Sequence, residues 1–162
     1  MATLYVMRHA KSRWDEEGVD DVGRGLSPRG VADAPLIGRH VRERGAHVEL
    51  VVTSHATRAY ATAAIVAEQL GGTRLVVDER LYLCSPDVAA QVVREHGAGV
   101  ASMMIVGHNP AWTQLLAEWA GEYIDNLPTA AVACIESSAV HLSQFTSSNN
   151  RLQWIVRPKH LR

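Results

Sequence analysis

The chain is poor in the features that define several large classes of protein. It has two cysteines in 162 residues, which is not the pattern of a disulfide-stapled secreted domain. No apolar run approaches the length of a membrane-spanning helix, and no signal peptide precedes the first predicted strand. The formal net charge of −1 gives no bulk attraction to nucleic acid or to an anionic membrane. We therefore expect a cytoplasmic protein that binds neither, and any anion site must come from a local cluster of cations.

The composition is that of an ordinary globular protein, with 47% hydrophobic and 20% charged residues. A chain of this length can bury a sizeable core without metals or disulfides. We expect a single domain over residues 1–162. No heptad pattern or apolar stripe demands a partner, so we expect a monomer or a weak dimer.

Predicted strands and helices alternate over the first three quarters of the chain. Short apolar runs predict strands at 3–8, 49–54, 74–77 and 101–106. Amphipathic or capped segments predict helices at 28–44, 57–70, 86–97 and 111–119. After Leu127-Pro128 the pattern changes, and alternating segments predict strands at 131–136, 138–144 and 151–157. This order predicts an α/β fold: a three-layer sandwich whose mainly parallel central sheet is flanked by helices, with C-terminal antiparallel edge strands.

Cationic and imidazole side chains follow three of the predicted strands. The first strand ends at Arg8 and His9, the second leads to Arg58, and the fourth ends at His108. Ligands of open α/β sheets bind at the carboxyl ends of the strands, so these side chains should meet there. Arginine binds phosphate in a bidentate manner, and neutral histidine is a nucleophile. The sequence therefore predicts a phosphate site that performs phosphoryl transfer.

Four motifs in this order resemble those of the histidine phosphatase superfamily, also called phosphoglycerate mutase-like, and most closely its short SixA-type branch. The motifs are Leu4-Tyr5-Val6-Met7-Arg8-His9-Ala10-Lys11, Leu26-Ser27-Pro28-Arg29-Gly30, Ser54-His55-Ala56-Thr57-Arg58-Ala59 and Val106-Gly107-His108-Asn109-Pro110. The resemblance covers roughly residues 3–120. Two positions depart from the usual pattern: Ala10 replaces a glycine, and His55 stands where proline is common.

The resemblance implies a metal-independent phosphatase that needs no cofactor. His9 would become a phosphohistidine, while Arg8, Arg58 and His108 would bind the phosphoryl oxygens. A phosphohistidine-bearing protein is the favoured substrate, since phosphohistidine tolerates a missing general acid. The alternatives are a small-molecule phosphomonoesterase, a phosphoglycerate mutase-like enzyme and a phosphate-binding module without catalysis. A zinc enzyme is disfavoured because Arg8, Lys11 and Arg58 would repel a dication.

Several roles stay open at this point. Glu79 is the nearest candidate for a general acid, the weaker candidates are Asp15, Glu16 and Glu17, and the enzyme could also use none. Lys11, Arg13 and Trp14 fit a solvated loop, although Lys11 or Ser12 could contact phosphate. His55 could add a cation or face solvent.

Overall fold

The computed structural model describes residues 1–162. Its centre is a six-stranded sheet with the strand order β3-β2-β4-β1-β5-β6. The strands are β1 (Ala2–Arg8), β2 (Leu50–Thr53), β3 (Arg74–Val77), β4 (Ser102–Gly107), β5 (Val132–Ser137) and β6 (Asn150–Val156). The first four strands pair in parallel, whereas β5 pairs antiparallel with β1 and β6 pairs antiparallel with β5.

Helices cover both faces of this sheet. They are α1 (Pro28–Glu43), α2 (Thr57–Gln69), α3 (Pro86–His96) and α4 (Ala111–Ala120). Successive side chains of a strand point to opposite faces, and β1 follows this rule. Leu4 and Val6 belong to the core under α3 and α4, whereas Tyr5 and Met7 belong to the core under α1 and α2. The predicted three-layer α/β fold is confirmed.

In the C-terminal part of the chain, the structure differs from the sequence-based prediction in two respects. The segment 138–144 is not a strand, because it turns and ends in a short 3-10 helix at Leu142–Gln144. Leu142 and Phe145, three residues apart, are both fully buried, and a helical turn rather than a strand places such a pair on one side. In addition, β5 is an interior strand, so only β6 forms an antiparallel edge.

The helix starts agree with the capping residues in the sequence. The Ser27 side chain accepts a hydrogen bond of 3.1 Å from the backbone N–H of Gly30, and Pro28 occupies the first helical position. Ser85 caps α3 in the same way. No helix has the length and apolar character needed to cross a membrane.

The register of the sheet aligns the carboxyl ends of three central strands. Arg8 at the end of β1 lies beside Gly107 at the end of β4, and Thr53 at the end of β2 lies beside Val106. The residues that follow these strands therefore emerge at one edge of the sheet.

Candidate active site

A cavity of about 320 Å³ opens at this edge of the sheet. All four residues predicted from the sequence as site residues line it. The complete lining is Arg8, His9, Lys11, Ser12, Trp14, Arg24, Arg58, His108, Asn109 and Thr129. The cavity is therefore strongly cationic, and no carboxylate belongs to its lining.

His9 follows β1 and is buried. Its Nδ1 atom lies 2.7 Å from the backbone carbonyl oxygen of Ala10. A carbonyl only accepts hydrogen bonds, so Nδ1 carries the ring hydrogen and the lone pair is on Nε2. The Nε of Arg58 lies 3.4 Å from this Nε2.

Burial, together with the charges of His108, Arg58 and Arg8, lowers the pKa of His9 to about 3. The hydrogen bond to Ala10 acts in the opposite direction. The imidazole is therefore neutral at pH 7. A neutral imidazole whose Nε2 lone pair accepts only one long hydrogen bond, from Arg58, in a cationic cavity is suited to nucleophilic attack on phosphorus.

His108 lies next to His9, with the ring centroids 5.2 Å apart. Its Nε2 is 2.8 Å from the hydroxyl oxygen of Ser54, which also accepts a hydrogen bond of 3.1 Å from the backbone N–H of Ala56. Burial, followed by the charge of Arg58, lowers the pKa of His108 to about 3. The other ring nitrogen, Nδ1, is buried and has no hydrogen-bond partner in the protein.

The two predicted arginines are held by backbone carbonyls. Arg8 donates from Nη1 to Leu127 over 3.1 Å, while its Nε is buried without a partner. Arg58, in the first turn of α2, donates from Nη1 to the carbonyl oxygen of Asp21 over 2.6 Å. Two nitrogens of cavity-lining residues, Arg8 Nε and His108 Nδ1, are thus buried without a hydrogen-bond partner in the protein.

Asp21 is a residue that the sequence reasoning missed. Its carboxylate accepts hydrogen bonds from the Tyr82 hydroxyl over 2.5 Å and from Nη2 of Arg58 and Arg24 over 3.1 Å and 3.0 Å. These bonds, that of Tyr82 first, hold its pKa well below the usual range. Asp21 is therefore an ionised group that orients two arginines and is not a proton donor. The loop contains several other acidic residues, and only the fold singles this one out.

The structure brings none of the candidate general acids to the cavity wall. Glu79 is exposed in the turn that follows β3, and Asp15 is exposed in an ion pair of 3.0 Å with Arg13. Glu16 and Glu17 also lie outside the lining.

The structure also gives the positions of Lys11, Ser12 and His55, whose roles the sequence left open, and of Ala10. Lys11 and Ser12 both line the cavity, where the Ser12 hydroxyl accepts a hydrogen bond from Arg24. His55 is exposed, and its ring centroid is 5.4 Å from that of Tyr82. Ala10 is absent from the residues with positive φ, so alanine meets no backbone strain in place of the usual glycine. No group of three or more His, Cys, Asp or Glu side chains is arranged to hold a metal ion.

Comparison with known proteins identifies the class to which this fold and site belong. The model of the histidine phosphatase superfamily (branch 1) matches residues 4–82. An uncharacterized protein of Mycobacterium tuberculosis is 35% identical over 109 residues, which cover 67% of this chain and 66% of that protein. The chain belongs to the histidine phosphatase superfamily.

Solved structures place the chain more narrowly. A structure from Agrobacterium tumefaciens, assigned provisionally as the phosphohistidine phosphatase SixA, has a TM-score of 0.84 at 25% identity and covers 97% of this chain and 98% of its own. The protein histidine phosphatase SixA complexed with tungstate also has a TM-score of 0.84, at 23% identity and 99% coverage of both chains. The architecture is therefore that of the SixA type.

Proposed function

We propose that the protein is a phosphatase that works through a phosphohistidine intermediate on His9, with a phosphohistidine-bearing protein as its substrate. The observation that carries this proposal is the position of a neutral His9, with its lone pair on Nε2, beside Arg8, Arg58 and His108 in a cationic cavity. Arginines and a lysine supply the positive charge that a phosphoryl group requires, so the reaction draws on protein cations and needs no metal.

The reaction consists of two in-line displacements. In the first, the Nε2 lone pair of His9 forms a bond to phosphorus while the bond from phosphorus to the leaving group breaks. Arg8, Arg58 and His108 stabilise the charge on the equatorial oxygens. In the second, water attacks the phosphorus, the bond to Nε2 breaks, inorganic phosphate leaves, and His9 is neutral again.

The absence of a carboxylate from the cavity lining supports a nitrogen leaving group. An alkoxide needs a proton donor in order to leave. The imidazole of a phosphohistidine, protonated on its other ring nitrogen, leaves as a neutral molecule without help from the enzyme. Likeness to a protein histidine phosphatase SixA complexed with tungstate, a tetrahedral oxyanion like phosphate, supports a phosphate site in a fold of this type.

A substrate screen with wild type and His9→Ala tests the proposal. We expect the wild type to release phosphate from a phosphohistidine protein faster than from sugar phosphates or nucleotides. His9→Ala should lose at least about 10³-fold in kcat, as enzymes do when the nucleophile is removed. His141→Ala, which replaces an exposed histidine outside the cavity, is the matched control and should keep full activity.

Each other result of this screen selects a different function. A clear preference for a sugar phosphate would reject the phosphohistidine substrate and favour a small-molecule phosphomonoesterase. Phosphate binding without turnover, and without acid-labile label on His9, would reject catalysis and favour a binding module.

A further inference from the structure

Trp14 is the only apolar side chain that lines the cavity, and 76% of its surface is exposed. The rest of the lining consists of charged, hydroxyl, amide and imidazole groups. Those groups suit the oxygens of a phosphoryl group, whereas the apolar ring face of Trp14 suits a group without charge. Trp14 therefore faces a different part of any substrate in the cavity.

The indole ring is held in place by Arg24. The guanidinium carbon of Arg24 lies 3.6 Å from the centroid of the Trp14 ring. Arg24 is itself buried, and its Nε and Nη2 donate to Asp21 while its Nη1 donates to Ser12 and to the carbonyl oxygen of Arg13. A guanidinium fixed at every nitrogen is a rigid support for an aromatic face. The guanidinium covers one face of the indole ring and so fixes the orientation of that ring.

In-line attack by His9 determines where the leaving group lies. The leaving atom is on the side of phosphorus opposite to Nε2, and His9 is at the buried end of the cavity while Trp14 is at its exposed rim. The leaving group therefore points away from His9, toward the rim that carries the indole.

We propose that Trp14 determines specificity by stacking on a planar aromatic leaving group, such as the imidazole of phosphohistidine, and so favours it over an aliphatic one. This inference rests on the proposed function, because it concerns the substrate class of the same site. Stacked aromatic pairs have a preferred offset geometry that an aliphatic group cannot reproduce.

Two matched pairs of compounds test this specificity in wild type, Trp14→Ala, Trp14→Phe and Tyr123→Ala. The first pair is phosphohistidine and phosphoramidate, which both break a P–N bond but differ in the ring. The ratio of their kcat/KM values should fall about threefold to tenfold in Trp14→Ala, mainly through KM. Trp14→Phe should keep most of the ratio, and Tyr123→Ala should keep all of it, since Tyr123 is exposed outside the cavity lining.

The second pair, phenylphosphonate and methylphosphonate, measures binding without turnover. We expect wild type to bind the phenyl compound more tightly, and Trp14→Ala to remove that preference by a similar factor. Ratios that are the same in Trp14→Ala and wild type would overturn the specificity role. If wild type hydrolyses neither P–N compound and releases no phosphate from a phosphohistidine protein, the proposed function fails, whereas a phenyl preference that depends on Trp14 would still support the stacking.

Discussion

At the scale of single residues, the two histidines of the cavity are held through different ring nitrogens. His9 is bound at Nδ1 by a backbone carbonyl, and His108 is bound at Nε2 by the hydroxyl of Ser54. The second ring nitrogen of His9 carries the lone pair and faces the guanidinium of Arg58, whereas the second ring nitrogen of His108 is buried without a partner. Two neutral imidazoles of similar burial thus differ in their hydrogen-bond partners.

Asp21 gives a prediction at the same scale. Asp21→Ala removes the carboxylate that orients Arg58 and Arg24, and the two guanidinium groups become free to shift. We expect kcat to fall about 10- to 100-fold with a smaller change in KM, because small misplacements of a group that stabilises the transition state are costly. Steady-state kinetics and a thermal unfolding curve check this. An unchanged or increased kcat/KM would contradict it, since it would mean that the carboxylate competes with phosphate for Arg58.

At the scale of elements, α1 packs directly on the loop that carries the nucleophile. A Cβ atom at Gly30, in the first turn of α1, would clash with the backbone carbonyl oxygen of Lys11. The Ser27 hydroxyl also donates to this oxygen over 3.1 Å. The start of α1 is therefore one of the supports of the segment that follows His9.

This contact predicts the effect of Gly30→Ala. Glycine to alanine inside a helix usually stabilises a protein, by up to about 1 kcal/mol. Here the new methyl group meets backbone that cannot move alone, so we expect a loss of about 1–3 kcal/mol in the free energy of unfolding and reduced activity. Urea unfolding and the phosphatase assay measure both. Equal or higher stability with full activity would show that α1 can move away without cost.

Sequence patterns predicted the elements well where one local signal dominates. The cap Ser27 and Pro28 marked the start of α1 correctly. The strand predicted at 138–144 was wrong. Its alternating pattern suits a strand, but Leu142 and Phe145 are buried against α3 and α4, which are distant in the chain. Phe145 packs on Trp119 with ring centroids 5.0 Å apart, and no local pattern records that contact.

At the scale of the whole molecule, the burial of two neutral histidines links stability to pH. Their pKa values fall from 6.5 to about 3 on folding, so between these values the unfolded chain binds more protons than the folded one. The free energy of unfolding should therefore decrease as the pH falls below 6.5, by up to about 1.4 kcal/mol per pH unit for each histidine.

Urea unfolding between pH 4.5 and 6.5 measures this dependence. The carboxylates of Asp21 and Asp78, whose pKa values are also lowered from 3.8, lose their contribution only as the pH falls below about 4, outside this window. Replacing His9 by glutamine should flatten the slope by about half, and replacing His108 as well should flatten most of the rest. A slope that is the same in wild type and in the double variant would contradict the assignment.

The sequence by itself determined which residues we propose to act on phosphate, because Arg8, His9, Arg58 and His108 each lie at the end of a strand or the start of a helix in a recognisable local motif. Only the tertiary structure decided how they are held and what surrounds them. Asp21, Arg24 and Ser54 act through contacts with side chains far along the chain, and the exclusion of Glu79 from the cavity depends on how the turn after β3 lies. Such contacts arise from packing between elements, and no local run of residues encodes them.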